Sequence, residues 1–283
     1  MIRAAALLLV PALLLAPGAA SAADVDVLYA GSLVNLMEHG VGPAFDAATG
    51  ETFKGFGGGS NALANQIKGK LRRGDVFISA NPKVNDTLMG DANGGWVAWH
   101  VTFAQSPLVI GYNPASRFAA DLKSKPWYEV LREPGIRIGR TDPVLDPKGA
   151  FTVQLLDQAE RVYHQPGLAH AVLGDAGNPE QVRPEESLVG RLQSGQIDAG
   201  FFYSTETSDL KIASIPLPPE VALHATYTAT ILRDAANPDG AAKFIGFLMG
   251  PQGQAAMKEH GLDTVTPSIT GDATQMPASI HLK

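Results

Sequence analysis

Residues Gly55–Asn81 read GFGGGSNALANQIKGKLRRGDVFISAN. Three consecutive glycines and a serine stand in front of a pattern in which Leu63, Ile67 and Leu71 recur every fourth residue. That periodicity predicts an amphipathic helix opened by Ser60, and the apolar run Val76–Ser79 (VFIS) predicts a buried strand after it. Upstream, Val25–Ala30 (VDVLYA) reads as a strand, Ser32 opens a helical pattern through Leu33, Leu36 and Met37, and Phe53–Phe56 reads as a short second strand. The order is βαβαβ, which predicts a mostly parallel sheet covered by helices.

Beyond Gly94-Gly95 the pattern changes. Ser106–Tyr112 (SPLVIGY) is a long apolar strand candidate, and Ile136–Gly139 begins a second α/β series. That series continues with helices over residues 150–163 and 185–194 and a strand over Ala199–Tyr203. The proline-rich segment Ile215–Val221 (IPLPPEV) reads as an extended linker back to the first unit, and helices over 239–249 and 252–260 complete the chain. The expected architecture is α/β: two lobes, residues 23–107 with 220–283 and residues 108–219, with a cleft between them. Ligands of open α/β sheets bind at the carboxyl ends of the strands, where this cleft would lie.

The first 22 residues have a basic start at Arg3, an apolar run from Ala4 to Ala16 and the small residues Ala20-Ser21-Ala22. They read as a secretory signal peptide, because the apolar run is shorter than the roughly 20 residues of a membrane span. The expected mature chain begins at Ala23, free in an exported compartment, most simply a periplasm. The sequence contains no cysteine, which removes disulfides and lipid attachment after cleavage. It carries 22 Lys and Arg against 28 Asp and Glu, and loss of Arg3 with the leader makes the balance more acidic still. A nucleic-acid partner would call for a basic stripe, so none is expected.

Ser32 and Ser60 each follow glycine, a strand and then open a helical pattern. Helix N-termini carry unpaired N–H groups and about half a positive charge, so two facing one cleft form an anion site. Gly31 and Gly57–Gly59 would let the backbone approach a ligand closely. The alternative is that both serines are simply helix caps. The glycine run lacks the Gly-Lys-Ser/Thr ending of a P-loop, breaks the dinucleotide spacing, and has Ala62 where a nucleophile elbow needs glycine. The seven histidines (39, 100, 164, 170, 224, 260 and 281) show no zinc spacing, and no metal cation or cofactor is expected. Arg73-Gly74-Asp75 reads as a chance match to a recognition tripeptide. Asp146, in TDPVLDPKGAFT, and Glu185 and Glu186, after Arg183-Pro184, stand at helix starts, where acids ordinarily complement the dipole. Tyr203 ends the strand AGFFY, where a core role is the ordinary one.

Taken in order, YAGSL, GGGSNALANQIK, GDVFISANPKVND, TDPVLDPKGAF and VRPEESLVGRLQSGQIDAGFFY resemble the molybdate/tungstate-binding proteins of ABC importers, above all the archaeal-type branch. The resemblance spans most of the mature chain and implies the type II periplasmic-binding-protein fold, two lobes closing on an oxyanion. It implies that Ser32, Ser60 and Tyr203 are donors, with Gly31 beside them, and that Asp146 and Glu185 approach the metal centre itself. Lys148 replaces the Cys or Ala usual in that family, which puts a cation by the site. Phe202 replaces an acid, and a one-residue shift would exchange Glu185 for Glu186. The implied function is capture of molybdate or tungstate by a monomer for an inner-membrane permease, without catalysis. Capture of sulfate, phosphate or a small carboxylate is the alternative within the class, and an exported serine hydrolase using Ser32 or Ser60 is the alternative outside it.

Overall fold

The computed structural model describes residues 23–282 other than Ala176, so the expected signal peptide lies outside the described residues. Strand β1 (Asp24–Ala30) pairs in parallel with β2 (Thr52–Gly58) and with β3 (Val76–Ser79), giving the order β2-β1-β3. The βαβαβ reading of the sequence is therefore the observed start of the chain. Alternation along β1 feeds both faces of the sheet: Val25, Val27 and Tyr29 join Phe45 and Phe244 in one core, and Leu28 joins Leu63, Ile67 and Phe77 in another.

The chain from Gly31 to the first regular helix, α1 (Gly42–Thr49), is less regular than its periodicity suggests. It passes through a 3-10 turn at Gly31–Leu33, one α-helical turn and a π-helical stretch at Met37–Val41. Pro43 has no N–H to donate, and the wider turn ahead of it accommodates that loss. By contrast, α2 (Ser60–Lys68) starts as the sequence predicts.

Strand β4 runs from Trp99 to Tyr112, seven residues earlier than expected. Its first part pairs antiparallel with β8 (His224–Ile231) and β9 (Asp263–Gly271), and from Leu108 onward it pairs with β6 (Ala199–Tyr203) and β7 (Ser214–Pro216). The change of partners falls between Pro107 and Leu108. β5 (Ile138–Gly139) pairs in parallel with β6, and β8 pairs with β3. One set of strands, β2-β1-β3-β8 with β9, thus meets a second, β6-β5 with β7, along a single shared strand.

The second set carries helices α3 (Pro147–Val162), α4 (Glu185–Gln193) and α5 (Ser204–Asp209). Helices α6 (Pro238–Met249) and α7 (Pro251–Glu259) return to the first. The segment expected as an extended linker differs in part, because its start lies in β7 and Pro219–Val221 forms a 3-10 turn.

Candidate functional site

The register of β1 on β2 places Ala30 opposite Gly58. Ser32 and Ser60 each lie two residues past that pair, so parallel pairing alone brings both to the same edge of the sheet. Neither serine is a helix cap. The cap positions are Ala30 and Gly59, and neither makes a side-chain cap bond. Ser60 is buried and its Oγ accepts from the Ala80 N–H at 3.1 Å, which leaves the hydroxyl proton to donate. Ser32 Oγ lies 2.9 Å from the hydroxyl of Tyr227. Ser32 sits in a single 3-10 turn, so a helix N-terminus with its dipole stands at Ser60 and not, as expected from sequence, at Ser32 as well.

The opposite wall comes from the second set of strands. Asp146 caps α3: its Oδ1 accepts from the Lys148 N–H at 2.9 Å and from the Thr141 hydroxyl at 2.8 Å. Glu185, the first residue of α4, is buried, whereas Glu186 is exposed at the same helix start. The two walls touch. Asn61 Nδ2 donates to Val144 O at 2.8 Å, the Ala62 N–H donates to Leu145 O at 3.0 Å, and Asn35 bonds Asp209. A Cβ on Gly31 would collide with the Cγ of Glu185, and one on Gly59 would lie 2.6 Å from Leu145 O. Glycine at these two positions is what allows the close approach.

Lys148 differs from the sequence expectation of a cation placed to meet the ligand. Its ammonium lies 2.7 Å from Glu185 Oε1 and 3.0 Å from both oxygens of Glu206, so its three donors are engaged by carboxylates. Burial opposes its charge, yet Glu185, Glu206 and Asp146 outweigh that and hold its proton more firmly than usual. Burial raises the proton affinity of Glu185 well above the ordinary glutamate range, with Asp146 and Glu206 adding to it and Lys148 opposing it. Burial likewise raises Asp146 and Glu206, again against Lys148.

Tyr203 is fully buried and its hydroxyl has no hydrogen-bond partner; the same holds for Glu185 Oε2. Burial, reinforced by Asp146, Tyr227 and neighbouring acids, keeps the Tyr203 phenol protonated, so it is a donor. A cavity of about 370 Å³ opens between Gly57–Gly59, Ala62, Asp146 and Glu185, and a smaller one of about 220 Å³ lies between Gly31, Ser32, Glu185 and Glu206. An orphaned donor, Tyr203 OH, and an orphaned acceptor on Glu185, which lines both cavities opposite the glycines that lead into α2, suit an oxygen-rich anion whose centre accepts further oxygen ligands.

The structure thus places Asp146, Lys148, Glu185 and Tyr203 on one side, with Gly31, Ser32 and Ser60 on the facing edge. Sequence reasoning missed Glu206 and Tyr227. Tyr227 sits in HATYTATI, whose alternating threonines are a strand signal. Glu206, the third residue of α5, carries only the weak signature of a first-turn acid. Neither serine is paired with a base, since their side-chain partners are Tyr227 and a backbone N–H. Among the described residues no group of three or more His, Cys, Asp or Glu side chains is placed to hold a metal ion.

Two lobes of α/β structure facing across such a cleft are the build of periplasmic binding proteins. The chain belongs to the bacterial extracellular solute-binding proteins, whose profile it matches over residues 25–263. A Haloferax volcanii protein named for molybdenum binding in an ABC transporter is 30% identical over 215 residues, covering 74% of this chain and 66% of that one. The molybdate/tungstate-binding protein of Thermococcus kodakarensis is 24% identical over 258 residues, covering 75% and 72%. Among solved structures, the periplasmic molybdate-binding protein of Azotobacter vinelandii superposes with a TM-score of 0.67 at 21% identity, covering 86% of this chain and all of that one. The hydrolase alternative has no support from these relatives or from the site.

Proposed function

We propose that this protein captures molybdate or tungstate in the periplasm and delivers it, as a monomer cleaved after residue 22, to an inner-membrane ABC permease. The observation that carries the reading is the pair of buried, unpartnered atoms, Tyr203 OH and Glu185 Oε2, the second of them on a residue that lines both cavities. Ser60, Tyr203 and the N–H groups opening α2 donate to oxyanion oxygens, and Ser32 does so backed by Tyr227. Asp146 and Glu185 face the central atom. Molybdenum(VI) and tungsten(VI) accept two added carboxylate oxygens with no change of oxidation state and no loss of an oxo group; sulfur in sulfate does not. Sulfate is left with the repulsion of the acids, which outnumber the single ammonium of Lys148. The lobes, taken as residues 23–107 with 220–283 and 108–219, close over the ligand, and the permease releases it by favouring the open form.

The test is thermal unfolding of residues 23–283 with molybdate, tungstate, sulfate or phosphate, followed by calorimetry on every hit. At a concentration of about 100 times the dissociation constant, a ligand stabilises the native state by about 2.7 kcal/mol. The expected result is a shift with molybdate or tungstate and none with sulfate. A shift with sulfate or phosphate alone, or with none of the four, overturns the reading.

A further inference from the structure

We infer that Lys148 and Glu206 form a positioning pair that fixes the carboxylate of Glu185, so that its Oε2 alone is presented to the bound oxyanion. The inference rests on the proposed reading that molybdate or tungstate occupies the cleft.

Glu206 is the third residue of α5, and its Oε2 accepts from the Tyr203 N–H at 2.8 Å, the reach-back of a capping box. Both of its oxygens also accept from Lys148 Nζ at 3.0 Å. Both oxygens of Glu206 are therefore already engaged within the protein, although it lines the smaller cavity. The remaining donor of Lys148 goes to Glu185 Oε1 at 2.7 Å. The lysine is 1% exposed, and its ammonium lies 5.4 Å and 5.6 Å from the ring centroids of Phe202 and Tyr203. A side chain ordinarily rich in rotamers is thereby held in one pose. On its other side Glu185 is pressed against Gly31, where no Cβ would fit. The strand end at Tyr203 thus fixes Glu206, Glu206 fixes Lys148, and Lys148 fixes one oxygen of Glu185. The other oxygen, buried and unpartnered, is left to the ligand. Groups that orient a ligating carboxylate through hydrogen bonds tune the affinity of the site without touching the metal.

The test compares the wild type with Glu206→Gln, Lys148→Met and Tyr203→Phe. Calorimetry measures molybdate and tungstate affinity, X-ray absorption at the molybdenum edge reads coordination number, and thermal unfolding checks the fold. In the wild type, bound molybdenum is expected to be six-coordinate. Glu206→Gln and Lys148→Met are expected to weaken binding roughly ten- to a hundredfold and to shift the bound metal toward four-coordination. Glu206→Asp, which keeps the charge, is expected to recover six-coordination. Tyr203→Phe, which removes only a donor to oxygen, should weaken binding and leave the coordination number unchanged. If Lys148→Met fails to fold, Glu206→Gln decides, because it keeps the side-chain shape.

Folded variants that bind and coordinate like the wild type overturn the positioning role. So does a wild type that binds molybdate in four-coordinate form, with the proposed function left standing. A wild type that binds neither oxyanion overturns the proposed function itself, and the same titration reveals it.

Discussion

Tyr203 carries a hydroxyl that the folded protein buries without a partner. Such a group costs about 1–3 kcal/mol, so Tyr203→Phe is expected to raise the stability of the ligand-free protein while weakening oxyanion binding. Urea unfolding and calorimetry on one preparation read the two opposite signs; a loss of stability would show the hydroxyl to be bonded in solution. Ser60→Ala loses a hydrogen bond to a charged ligand and is expected to cost about 1.5–3 kcal/mol of binding. Asp75, the last residue of the Arg-Gly-Asp tripeptide, has a different task. Its carboxylate accepts from the N–H groups of Asp26 and Asn237, both at 2.8 Å, and it is 2% exposed. That burial leaves it out of reach of a receptor. Asp75→Ala should therefore lower stability by about 1–3 kcal/mol or more with affinity unchanged, as unfolding and calorimetry would report.

At the scale of elements, how much could be read from the sequence depended on how local each cause is. The starts of β1, α2, β3 and β6 followed from short apolar runs and periodicity, which act within one turn or one strand. The local signature of a helix start marked Asp146, Glu185 and Glu186 only as first-turn acids; a ligand role for Asp146 and Glu185 came from the family resemblance, and the structure then set Glu185 apart from Glu186 by burial. Strands β8 and β9 were missed, although HATYTATI alternates clearly. Their polar, threonine-rich faces carry little of the apolar signal that was followed. Glu206 was missed for a stronger reason: its importance comes from an ammonium 58 residues away in the chain, a pairing that only the tertiary fold creates. Gly31 lies at the same scale. Gly31→Ala should preserve secondary structure, since the residue opens the 3-10 turn after β1 without a positive φ, but should hold the α4 start away from β1. Small-angle scattering with molybdate present should then show the open dimensions persisting, and a normal compaction would remove Gly31 from the closing contact.

For the whole molecule, the clustered acids set a pH dependence with a defined sign. Asp146, Glu185 and Glu206 hold protons more tightly in the folded than in the unfolded chain. Their contribution to stability is complete below the ordinary values of 3.8 and 4.5 and is lost as pH rises through the folded values. Glu185→Gln removes one of these shifts. The variant is expected to gain stability relative to wild type as pH rises above about 4.5. Urea midpoints across a pH series check this, and a constant difference would contradict it. The pairing of β4 bears on motion as well. One strand lies in both sets, so parting the lobes does not require any two hydrogen-bonded strands to separate. With the proposed lobes, the displacement would fall near Pro107, where β4 changes partners, and in the returning segment before His224. A molecule joined in this way would open by flexing one continuous strand, not by breaking a seam between two.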